Sequence, residues 1–463
     1  MNVQFSQTSG EAHATPVAGV GRPRTFASSE PRMTSYWHDE AGHDGTARRA
    51  SVLPESATFA VIGGGLAGLS TAINLKRRAP EASVVVVEAR HVGYGASGRN
   101  GGLMSPLPAP AWLMTAAHDT ASADAVRALN REVASAAHWL ARTLPDSEAR
   151  RVTLDLEARG RLTDAGVGRV ARILAGAGID HELRPGPRLG GPRTLQLEAH
   201  SVHPFRLVRA LARHAEEQGV EIVEGAAVAA ITPCEAGAEV RLADGRAVTA
   251  HRVIVATNAY TNSLEGSVTA KAKALHNYML ATKPLPGNVL AALGASGTFR
   301  VELNTAYVFY RVHAGRLIFG GIEKLGDGGA GEFGVPAAVL AGLRRHLATT
   351  LAQRGVPTGG DVELDLAWGG KFHQTANDLP IIGPAASSPA IVLNVGYGGT
   401  GVALSLVCAR LAAAAALDGR YESEADRRCA ESITATRTPV VPALRFGASV
   451  ALSAVARACG LER

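Results

Sequence analysis

Residues 59–88 constrain this chain more than any other stretch, because they spell one strand–turn–helix–strand unit: FAVIGGGLAGLSTAINLKRRAPEASVVVVE. Phe59–Ile62 is a short apolar run of the kind a buried parallel strand requires. Gly63, Gly65 and Gly68 then form G-x-G-x-x-G. The first glycine allows a tight turn, the second admits a pyrophosphate to the backbone, and the third lets helix and strand pack closely. Leu66 and Ala67 open a helix expected to run to about Arg78, with its positive dipole end toward that phosphate, and Pro80 stops it. Ser83–Val87 reads as the next strand, and Glu88 stands where an acid accepts hydrogen bonds from an adenosine ribose. The unit predicts an ADP-containing dinucleotide and leaves NAD or FAD open.

The 463 residues suffice for two domains, and 46% hydrophobic against 19% charged residues is a globular balance. A net charge of +6, dispersed rather than striped, argues against a nucleic-acid partner. Cys234, Cys408, Cys429 and Cys459 are far apart, so neither a metal nor a disulfide framework is expected, which suits a cytoplasmic location. The longest apolar run, 402–417, contains Arg410 and reads as a buried helix rather than a membrane span. The first 30 residues are rich in Ser, Thr, Pro and Gly and are expected to be disordered; Met33 could be the native start.

Further along, His91–Gly102 (HVGYGASGRNGG) places five glycines in twelve residues around Ser97, Arg99 and Asn100. A helix is expected over 120–145, a strand, helix and turn over 151–187, and an amphipathic helix after His203–Pro204. His203 there is read as a cap or packing residue before a catalytic one. Asp244–Gly245 marks a hairpin between strands 238–242 and 247–250, with 252–256 a separate buried strand. Strands are also expected at 276–282, 306–312 and 316–320, and a helix at 336–353. Alternation puts Val308 and Tyr310 on one face and Tyr307, Phe309 and Arg311 on the other, without saying which lines a pocket.

Gly95–Gly102 (GASGRNGG), Thr257–Asn258–Ala259–Tyr260, Tyr307–Arg311 with Arg316–Gly321, Trp368–Gly383 with its T-x-N-D-x-P-x-x-G ending, and Gly396–Gly401 together resemble the D-amino-acid-oxidase-like flavoproteins, in the gamma-glutamylputrescine oxidoreductase-like branch. The resemblance runs from about Ser35 to Phe446, including Pro439–Phe446. It implies an α/β chain: an FAD-binding Rossmann-like domain of the glutathione-reductase type, interleaved with an antiparallel-sheet substrate domain. The implied segments are a tail (1–33), FAD-binding parts 34–149, 201–261 and 366–420, substrate-domain parts 150–200 and 262–365, and a C-terminal helical segment 421–463. Implied FAD contacts are Gly63, Gly65, Leu66, Ala67, Gly68, Glu88, Ala89, Ala96, Ser97, Arg99, Asn100, Gly101, Gly102, Val228, Thr257, Asn258, Gly383, Gly398, Gly399, Thr400 and Gly401. Tyr310, Arg311 and Trp368 are the substrate-pocket candidates, with Arg311 expected to meet either a protein carboxylate or a substrate anion.

The implied reaction is oxidation of a C–H bond beside an amine nitrogen, with hydride passing to flavin N5, imine hydrolysis, and O2 reduced to H2O2. A dehydrogenase using a quinone or protein acceptor, an aminophosphonate oxidoreductase, and a binding or RNA-modifying module stay open as alternatives. Two departures matter. Ala403 stands where sarcosine-oxidase relatives carry a carboxylate-binding Lys, and Gly370 where they attach FAD through Cys, so noncovalent FAD is expected. Gly398 and Thr400 replace the branch's Ser and His.

Overall fold

A computed structural model describes residues 30–47, 52–107, 120–158, 164–186, 193–294, 297–303, 308–325, 330–356, 362–375, 379–424, 426–427 and 429–430. The expected tail before residue 30, Tyr307, Ala376–Asp378, Cys459 and the Pro439–Phe446 segment lie outside them.

The strands in chain order are β1 (Ser56–Ile62), β2 (Val84–Val87), β3 (Leu103–Met104), β4 (Arg150–Ala158), β5 (Glu182–Arg184), β6 (Thr194–Ser201), β7 (Glu221–Val223), β8 (Val228–Cys234) and β9 (Gly237–Leu242). They continue as β10 (Ala247–Val255), β11 (Ala272–Thr282), β12 (Thr298–Leu303), β13 (Val308–His313), β14 (Arg316–Leu325), β15 (Leu364–Thr375), β16 (Ile381–Pro384) and β17 (Ile391–Val395). Five helices matter for the site: α1 (Tyr36–Glu40), α2 (Leu66–Arg78), α3 (Pro204–Glu217), α4 (Ala337–Gln353) and α5 (Gly401–Ala416).

The first sheet has the order β16-β17-β10-β1-β2-β7, with β17, β10, β1, β2 and β7 mutually parallel. Its strands are near-continuous Val and Ile because both faces are covered. Phe59, Val61, Val84 and Val86 face the core shared with α2, α3 and α5. Ala60, Ile62, Val85 and Val87 face the side closed by the β8–β9 hairpin. The expected strands 247–250 and 252–256 are one strand, β10: its first half pairs antiparallel with β9, and the strand also pairs parallel with β1 and β17.

The second sheet has the order β15-β11-β14-β13-β12-β4-β6-β3. It is antiparallel except that β12 runs parallel to β4, which joins segments 150–200 and 262–365, the two expected substrate-domain parts. β15 pairs with β11 from Leu364 to Thr375, so residues 366–375, expected in the FAD-binding segment 366–420, belong to this sheet. The α/β fold, a nucleotide-type sheet interleaved with a second sheet, is therefore as the sequence implies.

Period-2 alternation gives the second sheet two unlike faces. Tyr278, Leu280, Val308, Tyr310 and Phe319 pack beneath Leu340, Leu343, Leu347 and Leu351 of α4. Charged Glu157, Arg300 and Glu302 share that face: Arg354 pairs with Glu157, Thr350 Oγ1 donates to Glu302 at 2.8 Å, and Arg300 Nε lies 3.6 Å from Glu157 Oε1. The opposite face carries Leu154, Leu156, Phe299, Val301, Phe309, Met279 and Trp368 and turns toward the first sheet.

Residues 30–33, expected in the tail, are placed. Arg32 N–H donates to Asp365 O at 2.9 Å and Arg32 O accepts from Ala367 N–H at 3.0 Å. This extended pairing leads into α1, whose Tyr36 and Trp37 are buried among His203 and His313.

Burial holds several histidines neutral. The imidazole pKa falls to about 2 at His38, about 3 at His203, and about 4 at His91, His313 and His373, in each case mainly through desolvation. Below the ordinary pKa near 6.5 the unfolded chain takes up protons that the folded chain refuses. Stability is thus complete above about pH 6.5 and is lost as pH falls toward 4, by up to about 1.4 kcal/mol per pH unit for each histidine. Melting temperature should drop steeply between pH 6.5 and 5 in calorimetry or dye-based unfolding; a flat profile there contradicts the buried-neutral assignment.

Candidate functional site

The site is built where two helices start opposite the apolar face of the second sheet. At the first start, Gly63 has φ +110° and a Cβ on Gly68 would lie 1.9 Å from Gly63 O. Only glycine at 68 lets α2 sit this close to the end of β1. Gly65 precedes α2 without a side-chain cap, and the orphan N–H of Leu66 donates to Ser97 Oγ at 3.0 Å. Glu88 accepts from Gly64 N–H at 2.6 Å and Arg90 N–H at 2.9 Å. A carboxylate has lone pairs left for further donors after two such bonds.

Ser97 belongs to the glycine loop, which is fixed from within. Asn100 Nδ2 donates to Ala96 O at 3.1 Å and Ser97 O at 2.9 Å, and its Oδ1 accepts from Gly102 N–H at 2.7 Å. Arg99 donates from Nε to Tyr94 O at 2.8 Å and lays its guanidinium 3.6 Å from the Phe333 ring centre. Burial brings the Arg99 pKa down to about 10, so it stays cationic. Trp368 Nε1 donates to Arg99 O at 2.9 Å, tying β15 to the loop.

The second helix start follows β17. Tyr397 donates to Asn394 Oδ1, Asn394 Nδ2 to Thr71 Oγ1 at 3.0 Å, and Thr71 Oγ1 to Ala67 O at 2.7 Å. This chain of bonds locks the α5 start to the α2 start. Asn258, at φ +43°, accepts from Gly396 N–H at 3.1 Å and fixes the entry to the Gly396–Gly401 turn.

Between these parts lies one chamber. Of the sequence-predicted residues, Gly65, Leu66, Ala67, Ala96, Ser97, Arg99, Asn100, Gly101, Asn258, Trp368, Gly399, Thr400 and Gly401 line it. Gly63, Gly68, Glu88, Ala89, Gly102, Val228, Thr257, Gly383 and Gly398 do not; Gly63 and Gly68 shape the turn beneath, whereas Ala89 is exposed and Val228 and Gly383 sit in β8 and β16.

Two pocket expectations are corrected. Tyr310 points to the α4 face, where Arg354 donates to its hydroxyl at 3.0 Å, so β alternation carries it away from the chamber. Arg311 shares the chamber-side face of β13 but stands beyond the lining. Its guanidinium donates to Val202 O at 2.9 Å and Gly102 O at 3.5 Å and lies 4.9 Å from the Trp37 ring centre. Carbonyls and an indole face, rather than a protein carboxylate, hold this cation, whose pKa burial depresses to about 9. Of the carboxylates near it in sequence, Glu302 accepts from Thr350 and Asp365 pairs with Arg316.

His203 is a cap: its Nδ1 accepts from Arg206 N–H at 3.1 Å, which leaves the proton on Nε2, 2.9 Å from Glu40 Oε2. The lining residues that sequence reasoning did not single out are mainly Leu154, Leu156, Met279, Phe299, Val301 and Phe372. Their signal was present in the alternation of Leu154-Asp155-Leu156-Glu157 and Phe299-Arg300-Val301-Glu302, which marks strands with one apolar face.

A model of the family described as FAD dependent oxidoreductase matches residues 58–415. The chain is 28% identical over 399 residues to a probable oxidoreductase OrdL of Rhizobium meliloti, covering 79% of this chain and 85% of that protein. It is 25% identical over 394 residues to the gamma-glutamylputrescine oxidoreductase of Escherichia coli, covering 78% and 84%. Among solved structures it resembles glycine oxidase from Geobacillus kaustophilus, with TM-score 0.65, 18% identity and coverage of 80% and 97%. L-amino acid deaminase from Proteus vulgaris gives TM-score 0.63, 19% identity and coverage of 82% and 95%.

Two substitutions test this geometry. A Cβ at Gly65 would stand 2.7 Å from Ser97 Oγ, whereas one at Gly68 meets backbone. Gly65→Val should yield folded protein without FAD, losing about 2.7 kcal/mol of ligand stabilisation at a hundredfold excess of FAD over Kd. Gly68→Val should fail to give folded protein; full FAD occupancy in Gly65→Val, read from absorbance, contradicts the placement.

Arg311→Lys keeps the charge and loses the fork that spans two carbonyls. It should cost about 1–3 kcal/mol of stability, as buried acceptors are left unpaired, while substrate Kd stays unchanged. Wild-type melting with at least tenfold weaker substrate binding would reverse this assignment.

Proposed function

The chain belongs to the FAD dependent oxidoreductase family, and from that premise we propose that it oxidises the C–H bond beside an amine nitrogen, giving an imine that water hydrolyses to a carbonyl compound. The observation that carries this reading is the chamber itself. Its lining joins two glycine-rich helix starts to an apolar sheet face and, among the described residues, includes no Asp, Glu, His, Lys or Cys. With no carboxylate, imidazole, amine or thiol in that lining, its hydroxyls have no base beside them to activate them, and the reading leaves the chemistry to the cofactor while the protein supplies binding and orientation.

We assign FAD to this chamber on the fit of its parts. Gly65, Leu66, Ala67, Ala96 and Ser97 form a cradle that a side chain at 65 would obstruct, and Asn258, Gly399, Thr400 and Gly401 bring a second helix start to the same space. The positive end of α5 favours negative charge placed before it. Of the residues proposed for FAD outside this lining, Glu88 holds its carboxylate against the Gly64 N–H, beside the first helix start. When bound, FAD supplies a two-electron acceptor for the amine and a route for those electrons to O2.

The protein's part is to hold the amine in its neutral, oxidisable form. An apolar chamber disfavours the ammonium ion. The indole of Trp368 and the loop it bonds through Arg99 O set one wall rigidly, which helps orient the substrate. Proteins named as a gamma-glutamylputrescine oxidoreductase, a glycine oxidase and an L-amino acid deaminase, each acting on an amino compound, support the same bond class.

Anaerobic titration of the yellow holoenzyme with secondary amines should bleach the flavin, and readmitted O2 should restore the colour with formation of H2O2. Colour restored by a quinone but not by air would move the protein to the dehydrogenase reading. FAD should leave the protein on acid precipitation, since Gly370 and the rest of the lining include no cysteine or histidine; a yellow pellet would show a covalent link.

A further inference from the structure

The sheet side of the chamber is more uniformly apolar than an amine-oxidising site has to be. Its wall is the inner face of β4, β12 and β13, where Leu154 opposes Phe299, Leu156 opposes Val301, and Val301 opposes Phe309. The rings of Phe299 and Phe309 lie nearly parallel, at 19° with centroids 6.0 Å apart. Phe309 is held in place by missing side chains: a Cβ on Gly320 would come within 2.4 Å of its ring and one on Gly101 within 2.9 Å.

While Arg311 of β13, on the chamber-side face, is turned beyond the lining to Val202 O and Gly102 O, Asp155 and Glu157 of β4 and Arg300 and Glu302 of β12 alternate with the wall residues and so face α4. They are engaged there by Arg354, Thr350 and one another. In the lining, Arg99 is the single charged side chain among the described residues, and its guanidinium is turned onto Phe333. Ala403, in the first turn of α5, adds no cation.

We infer that the chamber takes a hydrophobic monoamine, with an aryl or branched alkyl group seated against Leu154, Leu156, Phe299, Val301 and Phe309, and discriminates against amino acids and diamines. A substrate carboxylate would be desolvated here with no cation in the lining except Arg99, whose guanidinium is stacked on Phe333, and a second ammonium would find no acid. Either is a burial cost that an apolar group does not incur. This inference rests on the amine-oxidising reading above and narrows its substrate class.

The test uses wild-type holoenzyme and two probes that lack a C–H bond beside nitrogen and so bind without being oxidised. These are cumylamine, which is aryl and uncharged apart from its amine, and 2-aminoisobutyrate, which carries a carboxylate. Flavin difference spectra give both dissociation constants. Cumylamine should bind at least tenfold more tightly; a smaller ratio or the reverse order overturns the inference. Phe309→Ala should weaken cumylamine at least fivefold and leave 2-aminoisobutyrate within twofold, and equal effects on both overturn the assigned wall.

Anaerobic bleaching by N-methylbenzylamine, sarcosine and putrescine separates the inference from the reading beneath it. Fastest bleaching by N-methylbenzylamine supports both. Bleaching led by sarcosine or putrescine overturns the inference and leaves the reading standing. A flavin that none of the three bleaches, in an enzyme that still binds cumylamine, overturns the reading.

Discussion

Everything in this protein depends on how closely α2 can approach the end of β1. The contact is between the Gly68 Cα and the Gly63 carbonyl, a position at which any Cβ would sit at 1.9 Å. From that contact follow the direction of α2, the position of its free N–H groups, and the place of Ala67. The carbonyl of Ala67 then anchors Thr71, Asn394 and Tyr397, so the second helix start inherits its position from the first. Two helix N-termini that converge this way make one space suited to an extended, partly anionic cofactor.

The other wall follows from a register. In the second sheet each one-residue step exchanges an apolar side chain for a charged one, as in Leu154-Asp155-Leu156-Glu157. A slip of one residue in β4 or β12 would put Glu157 and Arg300 into the chamber and Leu156 and Phe299 under α4. Burial of Leu and Phe toward the first sheet and the ion pairs to Arg354 and among the strand residues oppose that slip from both faces. The apolar chamber wall and the charged network under α4 are therefore one structural decision.

Arg311 shows how a charged residue serves such a site without entering it. Its guanidinium joins three distant parts of the chain: Trp37 of α1, Val202 before α3, and Gly102 at the end of the glycine loop. A planar fork can donate to two carbonyls and present a face to an indole at once, which an ammonium cannot do. The adjacent His203 completes the junction by capping α3 and bonding to Glu40. The N-terminal α1 is in this way part of the frame that steadies the chamber loop.

The sequence by itself determined the parts whose physics is local. G-x-G-x-x-G between an apolar run and an acid dictates strand, turn and helix, because glycine alone satisfies those backbone positions. A His before Pro at a helix start is a cap for equally local reasons, and the glycine loop and second glycine turn were legible in the same way. What only the tertiary structure decided was facing. Tyr310 and Arg311 are neighbours in a strand, yet one lies under α4 and the other against Trp37, and neither lines the chamber. Alternation says that two residues face opposite ways but not which way is inward. That choice is made by what covers each face, here α4 on one side and the nucleotide sheet on the other, and these covers come from segments far away in the chain. The partners of Arg311 were hidden for the same reason, since two of them are backbone carbonyls, which carry no signal in the residue identities.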